Sequence, residues 1–522
     1  MGSNPAYLLV AIAFAGLLAG VASWFLSDGL ARLASAVASL GSFVLSALLV
    51  PAIVSHGEVH AGSLLRVDAL ALVFLLASTF VYAVSTLFSF GYLAAHQPDR
   101  RYGPRLLAGL NLFGWAMAVA VMTENLALIW VAIEVTTVVS ALLVAIDGTD
   151  GAAEASWKYV LIASLGLGIA LVATILVYAA GASVFGPVYA LTYPKLLSGA
   201  SHFPADTVRL SYVLAVLGFG TKVGFFPVHT WLPDAHSEAP TPVSAMLSGA
   251  LLAVSFYAIL RYFQVAERTL GTAFCRDVLL GFGIASLVLA AFSLLAQRDM
   301  KRLFAYSSIE HMGVLAVGAS FAAPLALIGV LLHVLAHAAA KSTAFFGSGA
   351  VHSKTATKDM GALGGVVGLL PASGPMLLLA VLALSAMPPF GMFRSEFLIV
   401  LGGLRAGGDP GAAILVVLVT LAFFGMTWPI VQAMLTPSPG SEGPHTSPGP
   451  TPSAAPTSSA LATPASPDLP TPTAAARRSE PSRWIVLAMA AGLVVLLVLG
   501  VHPPADLSRL LAAGARELGA GH

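Results

Sequence analysis

Fourteen stretches of the chain are apolar and about as long as a bilayer core is thick. They lie near residues 5–26, 30–54, 69–94, 106–122, 124–146, 157–180, 208–230, 240–263, 276–296, 302–320, 323–350, 370–404, 411–435 and 484–501. A helix needs about 20 such residues to cross the hydrocarbon, whereas a barrel strand needs only about 9–11. In lipid, every backbone polar group must be satisfied within the protein, which helices achieve alone. The pattern therefore specifies an all-α polytopic membrane protein with about 14 transmembrane helices. Composition agrees: with 58% hydrophobic and 9% charged residues, 522 residues carry too little charge to cover a soluble surface.

Two spans are interrupted. The seventh contains KVGFFPVHTWLPD, with Pro227 and Pro233, and the twelfth contains MPPFGMFRSEF, with Pro388, Pro389 and Gly391. Proline removes a backbone donor and clashes with the preceding turn. In a bilayer such a break persists only where protein or a wet cavity surrounds it. Two breaks at similar depth point to an inverted-repeat transporter architecture. The chain divides into N-terminal helices over 1–105, a first half over 106–263, a second half over 276–435, a loop over 436–483, and a final span with its tail over 484–522. The loop is rich in Pro, Ser, Thr and Ala and reads as disordered, because it has almost nothing to bury. The tail, DLSRLLAAGARELG, reads as an amphipathic helix on the membrane surface. With the N-terminus outside, inside loops hold eleven Lys and Arg and outside loops nine. The positive-inside rule leans towards both ends outside.

Other classes fall away. A net charge of +1 gives no electrostatic footprint for nucleic acid. One cysteine, Cys275, builds neither a disulfide framework nor an iron–sulfur cluster. The chain has no P-loop and no dinucleotide fingerprint. No cofactor and no metal site is expected on it, so any electron chemistry belongs to a partner chain. MGSNPAYLLV runs into apolar sequence without a basic leader region, which reads as a first membrane helix.

The charges that do enter the spans carry the functional signal. A charge at mid-bilayer costs at least about 2.5 kcal/mol, so each asks for a reason. Glu134 lies in NLALIWVAIEVTTVVSALLVAI, with apolar helix on both sides. Lys222 lies at the seventh-span break, and Glu396 follows the break in the twelfth. LLHVLAHAAAKSTAFFGSGAVH carries His333, His337 and Lys341 at four-residue spacing. Such positions share a helix face and rise about 6 Å per step, so the three form a ladder of about 12 Å. Histidine exchanges protons near neutrality, and water bridges groups that do not touch. For a single histidine the plain alternative is a hydrogen-bonded packing role. For the whole set it is mutual ion pairing that only pins helices. Lys158 opens its helix and reads as snorkelling to the surface; Glu124 reads as interfacial. Glu310 and His311, in AYSSIEHMG, read either as a helix-end pair facing water or as a port for proton uptake or release. His229, His236 and Glu238 are further candidates for uptake, release or linking.

Longer motifs narrow the family. TKVGFFPVHTWLPDAHSEAPTPVSAMLSGALL (Thr221–Leu252) closely resembles the signature of the antiporter-like, proton-translocating membrane subunits. These occur in respiratory complex I, in Mrp cation/proton antiporters and in group 4 nickel–iron hydrogenases. QRDMKRLFAYSSIEHMG, HVLAHAAAKSTAFFGSGAVH, EASWKYVLIASLGLGIAL and PPFGMFRSEFLIV are similar to the same family, over about residues 60–435. SSIEHMG and PPFGMFRSEF most resemble the F-type subunit of hydrogenase 4 and of formate hydrogenlyase-related complexes. The resemblance implies two inverted five-helix repeats. It implies that Glu134 pairs with Lys222, that Lys341 is the central lysine of the second half-channel beside His333 and His337, and that Glu396 is the release group. Many members link the halves through a Lys or His on the eighth helix. Here that place is Ala253, and Ser255 offers only a hydroxyl for a bridging water. Arg394, two residues before Glu396, offers it an ionic partner.

Residues and resemblance together imply proton translocation through a buried Glu/Lys/His relay. The chain is then a non-redox subunit of a respiratory complex of the hydrogenase 4/formate hydrogenlyase or NADH:quinone oxidoreductase kind. It sits in a bacterial or archaeal inner membrane with other membrane subunits and a soluble redox arm. Moving one charge against 100 mV needs about 2.3 kcal/mol. A hundredfold change in the proton affinity of Lys222, on separation from Glu134, supplies about 2.7 kcal/mol. The alternatives are a cation/proton antiporter, a proton-driven module of an inorganic-carbon uptake complex, and a structural scaffold. A sodium site prefers several oxygens, and the sequence shows no dense carboxylate cluster.

Overall fold

The computed structural model describes residues 5–96, 99–436 and 478–519, and these are helical almost throughout. In chain order the helices are α1 (Ala6–Phe25), α2 (Asp28–His56), α3 (Ala69–Ala95), α4 (Tyr102–Met122), α5 (Leu126–Val144), α6 (Asp150–Phe185), α7 (Tyr193–Gly199), α8 (Ala205–Val223), α9 (Trp231–Glu238), α10 (Thr241–Met246) and α11 (Leu252–Leu270). Then follow α12 (Thr272–Leu294), α13 (Met300–Ser320), α14 (Pro324–Thr355), α15 (Val366–Leu369), α16 (Ser373–Leu384), α17 (Gly391–Arg405), α18 (Asp409–Leu435), α19 (Arg483–Val501) and α20 (Ala505–Glu517). A π-turn at Leu247–Leu251 joins α10 and α11 into one span.

Among the described residues, eleven spans are long and apolar enough to cross a membrane. Three more complete the expected fourteen: α8–α9 and α16–α17 are broken, and α13 is made less apolar by Glu310 and His311. Both breaks are built alike. α8 ends at Gly224, with φ 86°, and the chain turns through the cis Phe226–Pro227 bond into α9. α16 ends near Ala386, with φ 52°, and the chain turns through the cis Pro388–Pro389 bond into α17.

Five spans, from α4 to α11, precede five more, from α12 to α18. An odd number of crossings starts the second set from the opposite side, so the repeat is inverted. Packing recurs with it: α5 lies on α6 and α6 on α8, as α13 lies on α14 and α14 on α17. Side-chain caps fix several helix starts. Asn125 accepts from Ala127 N and Leu128 N, Thr149 from Ala152 N, and Asp299 from Arg302 N. Glycine sets the α6–α8 distance. A Cβ on Gly218 would stand 2.5 Å from Ala170 N and 2.8 Å from Gly166 O. That close approach fixes the end of α8, where Lys222 lies. α3, the α10–α11 span and α14 are enclosed by their neighbours, whereas α1, α2, α12, α18 and α19 present apolar faces outward.

Two features depart from the sequence expectations. A hairpin of β1 (Glu58–Ala61) and β2 (Leu65–Asp68) follows α2, with Val59 opposite Val67. The tail is helical as expected, but α20 packs on α2, α3 and α14, burying Leu510 and Leu511. Its apolar face finds protein, and Glu517 accepts the free N–H groups of Ala69 and Leu70, both at 3.1 Å. The loop expected to be disordered lies, over 437–477, outside the described residues. Just beyond it, Glu480 accepts from Ala372 N at 2.7 Å and from Ser373 Oγ at 2.6 Å, which ties that segment to the start of α16.

A buried line of titratable side chains

In the first half, Lys222 is fully buried at the end of α8. Its ammonium donates to the Tyr159 hydroxyl on α6 and lies 4.6 Å from the centre of that ring. Tyr159 in turn lies 2.7 Å from Ser140 Oγ, which donates to Thr136 O on α5. Donors and acceptors run in one direction, from Lys222 through Tyr159 and Ser140. Glu134 is half-buried, one turn before Thr137 and nearly two before Ser140. Its carboxylate accepts from Ser164 Oγ at 3.2 Å and Thr137 Oγ1 at 3.4 Å. Among the described residues, no direct ion pair within 4.0 Å joins Glu134 to Lys222. Tyr159 stands on the lysine instead.

Between the halves sits His236, on α9. It is fully buried, and neither ring nitrogen has a partner. Its ring stacks 6.4 Å from Trp231 on one side and 5.3 Å from Phe345 on the other. Trp231 lies 4.5 Å from Tyr159. Phe345 touches Phe304, whose carbonyl accepts from Lys341 Nζ at 2.9 Å. His236 thus occupies the ground between Lys222 and Lys341. Ser255 does not: its hydroxyl donates to Leu251 O at 3.1 Å within its own helix. Ser248, in the π-turn, reaches Ser308 on α13 at 2.7 Å and was not singled out by sequence.

In the second half, His333, His337 and Lys341 are all fully buried on α14. Lys341 also donates to Ser307 Oγ on α13. His311, on α13, completes a cluster: its ring lies 5.2 Å from His333 and 5.3 Å from His337. His311 Nδ1 stands 4.0 Å from Glu396 Oε1 on α17. Among the described residues, the nitrogens of His311 and His337, the Glu396 Oε1 atom and Glu310 Oε2 have no hydrogen-bond partner. Buried polar atoms of this kind ordinarily bond to something, and water in a connecting seam fits them.

Two sequence readings are corrected here. Glu310 and His311 are not a helix-end pair facing water; α13 starts at Met300, and both side chains are buried in its middle. Arg394 does not pair with Glu396 among the described residues. Residues two apart on a helix face different ways, and Arg394 donates to Gly500 O at 3.4 Å.

Two cavities flank the line. A cavity of about 410 Å³ is lined by His96, Asp147, Glu238, Lys301, His352 and Lys358. All lie at helix ends on the side carrying the excess of basic loops. Lys301 donates to Ala239 O and Lys358 to Ser237 O, both at 2.8 Å, so the cavity floor flanks His236. At the other end Glu396 lines a cavity of about 380 Å³ with Ser385, Met387 and Phe397. His229 follows the break after Phe226, nearly buried, with its Nδ1 unpartnered. Lys158 pairs with Glu154 near the surface, and Glu124, before α5, lies 3.7 Å from Arg66 on β2.

Comparison with known proteins places this geometry. Residues 123–425 match a family described as NADH:quinone oxidoreductase/Mrp antiporter, TM. A hydrogenase-4 component F homologue of Methylacidiphilum infernorum is 37% identical over 393 residues, covering 74% of this chain and 80% of its own. The fold is similar to a chain of the archaeal membrane-bound sulfane sulfur reductase, with TM-score 0.79 and 20% identity over 99% of this chain and 98% of the other. It is equally similar to a chain of the Mrp complex from Dietzia sp. DQ12-45-1b, with TM-score 0.79 and 20% identity over 99% of each chain.

Proposed function

The chain belongs to the NADH:quinone oxidoreductase/Mrp antiporter membrane family, and from that premise we propose that it moves protons as a membrane subunit of a respiratory redox complex. Its neighbours are other membrane subunits and a soluble hydrogenase or dehydrogenase arm, and the complex sits in a prokaryotic inner membrane. The observation that carries this reading is the series of buried side chains from Lys222 to Glu396, with a cavity holding Asp147, Glu238 and Lys301 near His236 and a second one lined by Glu396 itself. A proton taken up among Asp147, Glu238 and Lys301 reaches His236, which faces both halves. Lys341 and the three histidines carry it along α14 and α13, and Glu396 releases it. The Lys222–Tyr159–Ser140 chain couples this path to Glu134, at the outward edge of α5. The donor and acceptor of electrons bind elsewhere in the complex; this chain supplies the proton path and its gating.

The test is proton uptake by vesicles holding the assembled complex. Lys222→Ala, Lys341→Ala and Glu396→Ala should each lower proton flux at least tenfold while the complex still assembles. Undiminished pumping in all three overturns the reading in favour of a scaffold. Flux that requires Na⁺ rather than the redox substrate favours a cation/proton antiporter. Co-purification with a large zinc protein instead of a redox arm favours a carbon-uptake module.

A further inference from the structure

We propose that His311, His333 and Glu396 form a binding site for a divalent transition metal of the Zn²⁺ class. Sequence reading gave no metal site because the three residues come from three helices, α13, α14 and α17. The structure brings one ligand atom of each to within 4.8 Å of the others, in a buried setting.

Hydrogen bonding fixes which atom His333 presents. Ser395 Oγ donates its one proton to Met392 O at 2.7 Å. The 3.0 Å contact between Ser395 Oγ and His333 Nδ1 therefore places the proton on Nδ1. Nε2 is left with a free lone pair, and it has no partner in the protein. A ring nitrogen held by a second-shell bond while the other faces an open position is how ligand histidines are arranged. Glu396 Oε1 and both nitrogens of His311 are likewise unpartnered. Each of the three groups thus keeps an unused lone pair, and one ligand atom of each lies within 4.8 Å of the others.

The donor set selects the ion. Two imidazoles and a carboxylate suit Zn²⁺ and its transition-metal neighbours, whereas Mg²⁺ and Ca²⁺ take oxygen ligands. Bonds of about 2.0–2.1 Å imply ligand separations of about 3.3 Å in a tetrahedron. His337, whose ring lies 5.3 Å from His311, or a water supplies the fourth ligand. Glu396 also lines a cavity of about 380 Å³, so the site is not sealed on that side. A metal held here occupies His333 Nε2 and Glu396 together and so blocks proton release. That consequence rests on the relay reading; the binding itself does not.

The experiment uses the full chain in lipid nanodiscs, titrated with Zn²⁺ by calorimetry and with Co²⁺ by visible absorption. One Zn²⁺ per chain and the intense bands of a four-coordinate Co²⁺ site are expected. His311→Gln and Glu396→Gln should each weaken Zn²⁺ binding at least tenfold, and Ser395→Ala by about 10–100-fold. His60→Gln, at the exposed His60–Glu58 pair, should leave it unchanged. No saturable binding by the wild type, or binding indifferent to His311→Gln and Glu396→Gln, overturns the site. If those variants fail to fold, the wild-type Co²⁺ spectrum decides, and six-coordinate bands overturn it. Proton flux measured in parallel separates the two readings. Stoichiometric metal with undiminished flux keeps the site and counts against the relay, while flux lost in His311→Gln without wild-type metal binding does the reverse.

Discussion

Tyr159 holds Lys222: the lysine ammonium donates to its hydroxyl, and the hydroxyl passes the bond to Ser140, 2.7 Å away on α5. The phenol is the physical connection between the buried lysine and the helix that carries Glu134. Tyr159→Phe keeps the ring beneath the ammonium and stacked on Trp231 but removes the hydroxyl. A buried donor left without its acceptor costs about 1–3 kcal/mol. Thermal unfolding of Tyr159→Phe should show a loss of that size, and proton flux should fall several-fold. Wild-type flux in Tyr159→Phe would mean that Lys222 and Glu134 communicate without it.

The α6–α8 contact tests whether the place of Lys222 is set by backbone packing. Gly218→Ala puts a methyl group 2.5 Å from Ala170 N, so the helices must part. Overpacking of this kind costs about 1–3 kcal/mol, and it should lower flux as Lys222 moves. Gly168 is the control on the same α6, since a Cβ there meets nothing within 4 Å. Gly168→Ala should be neutral or stabilising by up to about 1 kcal/mol. Equal melting temperatures for Gly218→Ala and Gly168→Ala would refute the packing argument.

Much of this was legible in sequence because lipid makes charge and broken helix expensive. Apolar length gave the spans, the prolines gave both breaks, and isolation in apolar sequence marked Lys222, Lys341 and Glu134. What escaped depends on contacts between distant segments. Tyr159 in WKYVLIASL looks like any aromatic core residue, and only its position opposite Lys222 gives it a role. His96, Asp147, Lys301 and His352 each look like ordinary helix-end residues until four segments close one cavity. The α20 contact escaped for the same reason, since an amphipathic pattern does not say whether lipid or protein will cover it.

That α20 contact carries a pH dependence. Burial first, and the neighbouring Asp68 next, push the Glu517 carboxyl up to about 8, against the pull of Arg261 and of the Leu70 and Ala69 N–H groups. The folded chain therefore binds this proton more tightly than the unfolded chain, whose carboxyl titrates near 4.5. The contribution is complete below about 4.5 and is lost as pH rises through 8. Between pH 6 and 8 the loss is about 2 kcal/mol. Melting temperature should fall over that range in the wild type and much less in Glu517→Gln. A parallel fall in both proteins would assign the pH dependence to another group.

His236 gives the sharpest separation of relay from packing. The ring packs against Trp231 and Phe345, and among the described residues neither nitrogen has a hydrogen-bond partner. His236→Phe preserves the stacked shape and removes two buried polar atoms, a change that is close to neutral or stabilising by the usual cost of unsatisfied groups. If the ring only packs, both stability and proton flux should survive. If it links Lys222 to Lys341, the melting temperature should hold or rise while flux falls at least tenfold. Ala253, fully enclosed on α11, offers no titrating group, so a link would come from another helix. Full flux in His236→Phe would move the link to the Ser248–Ser308 contact, where Ser248→Ala would then be the variant to lose it.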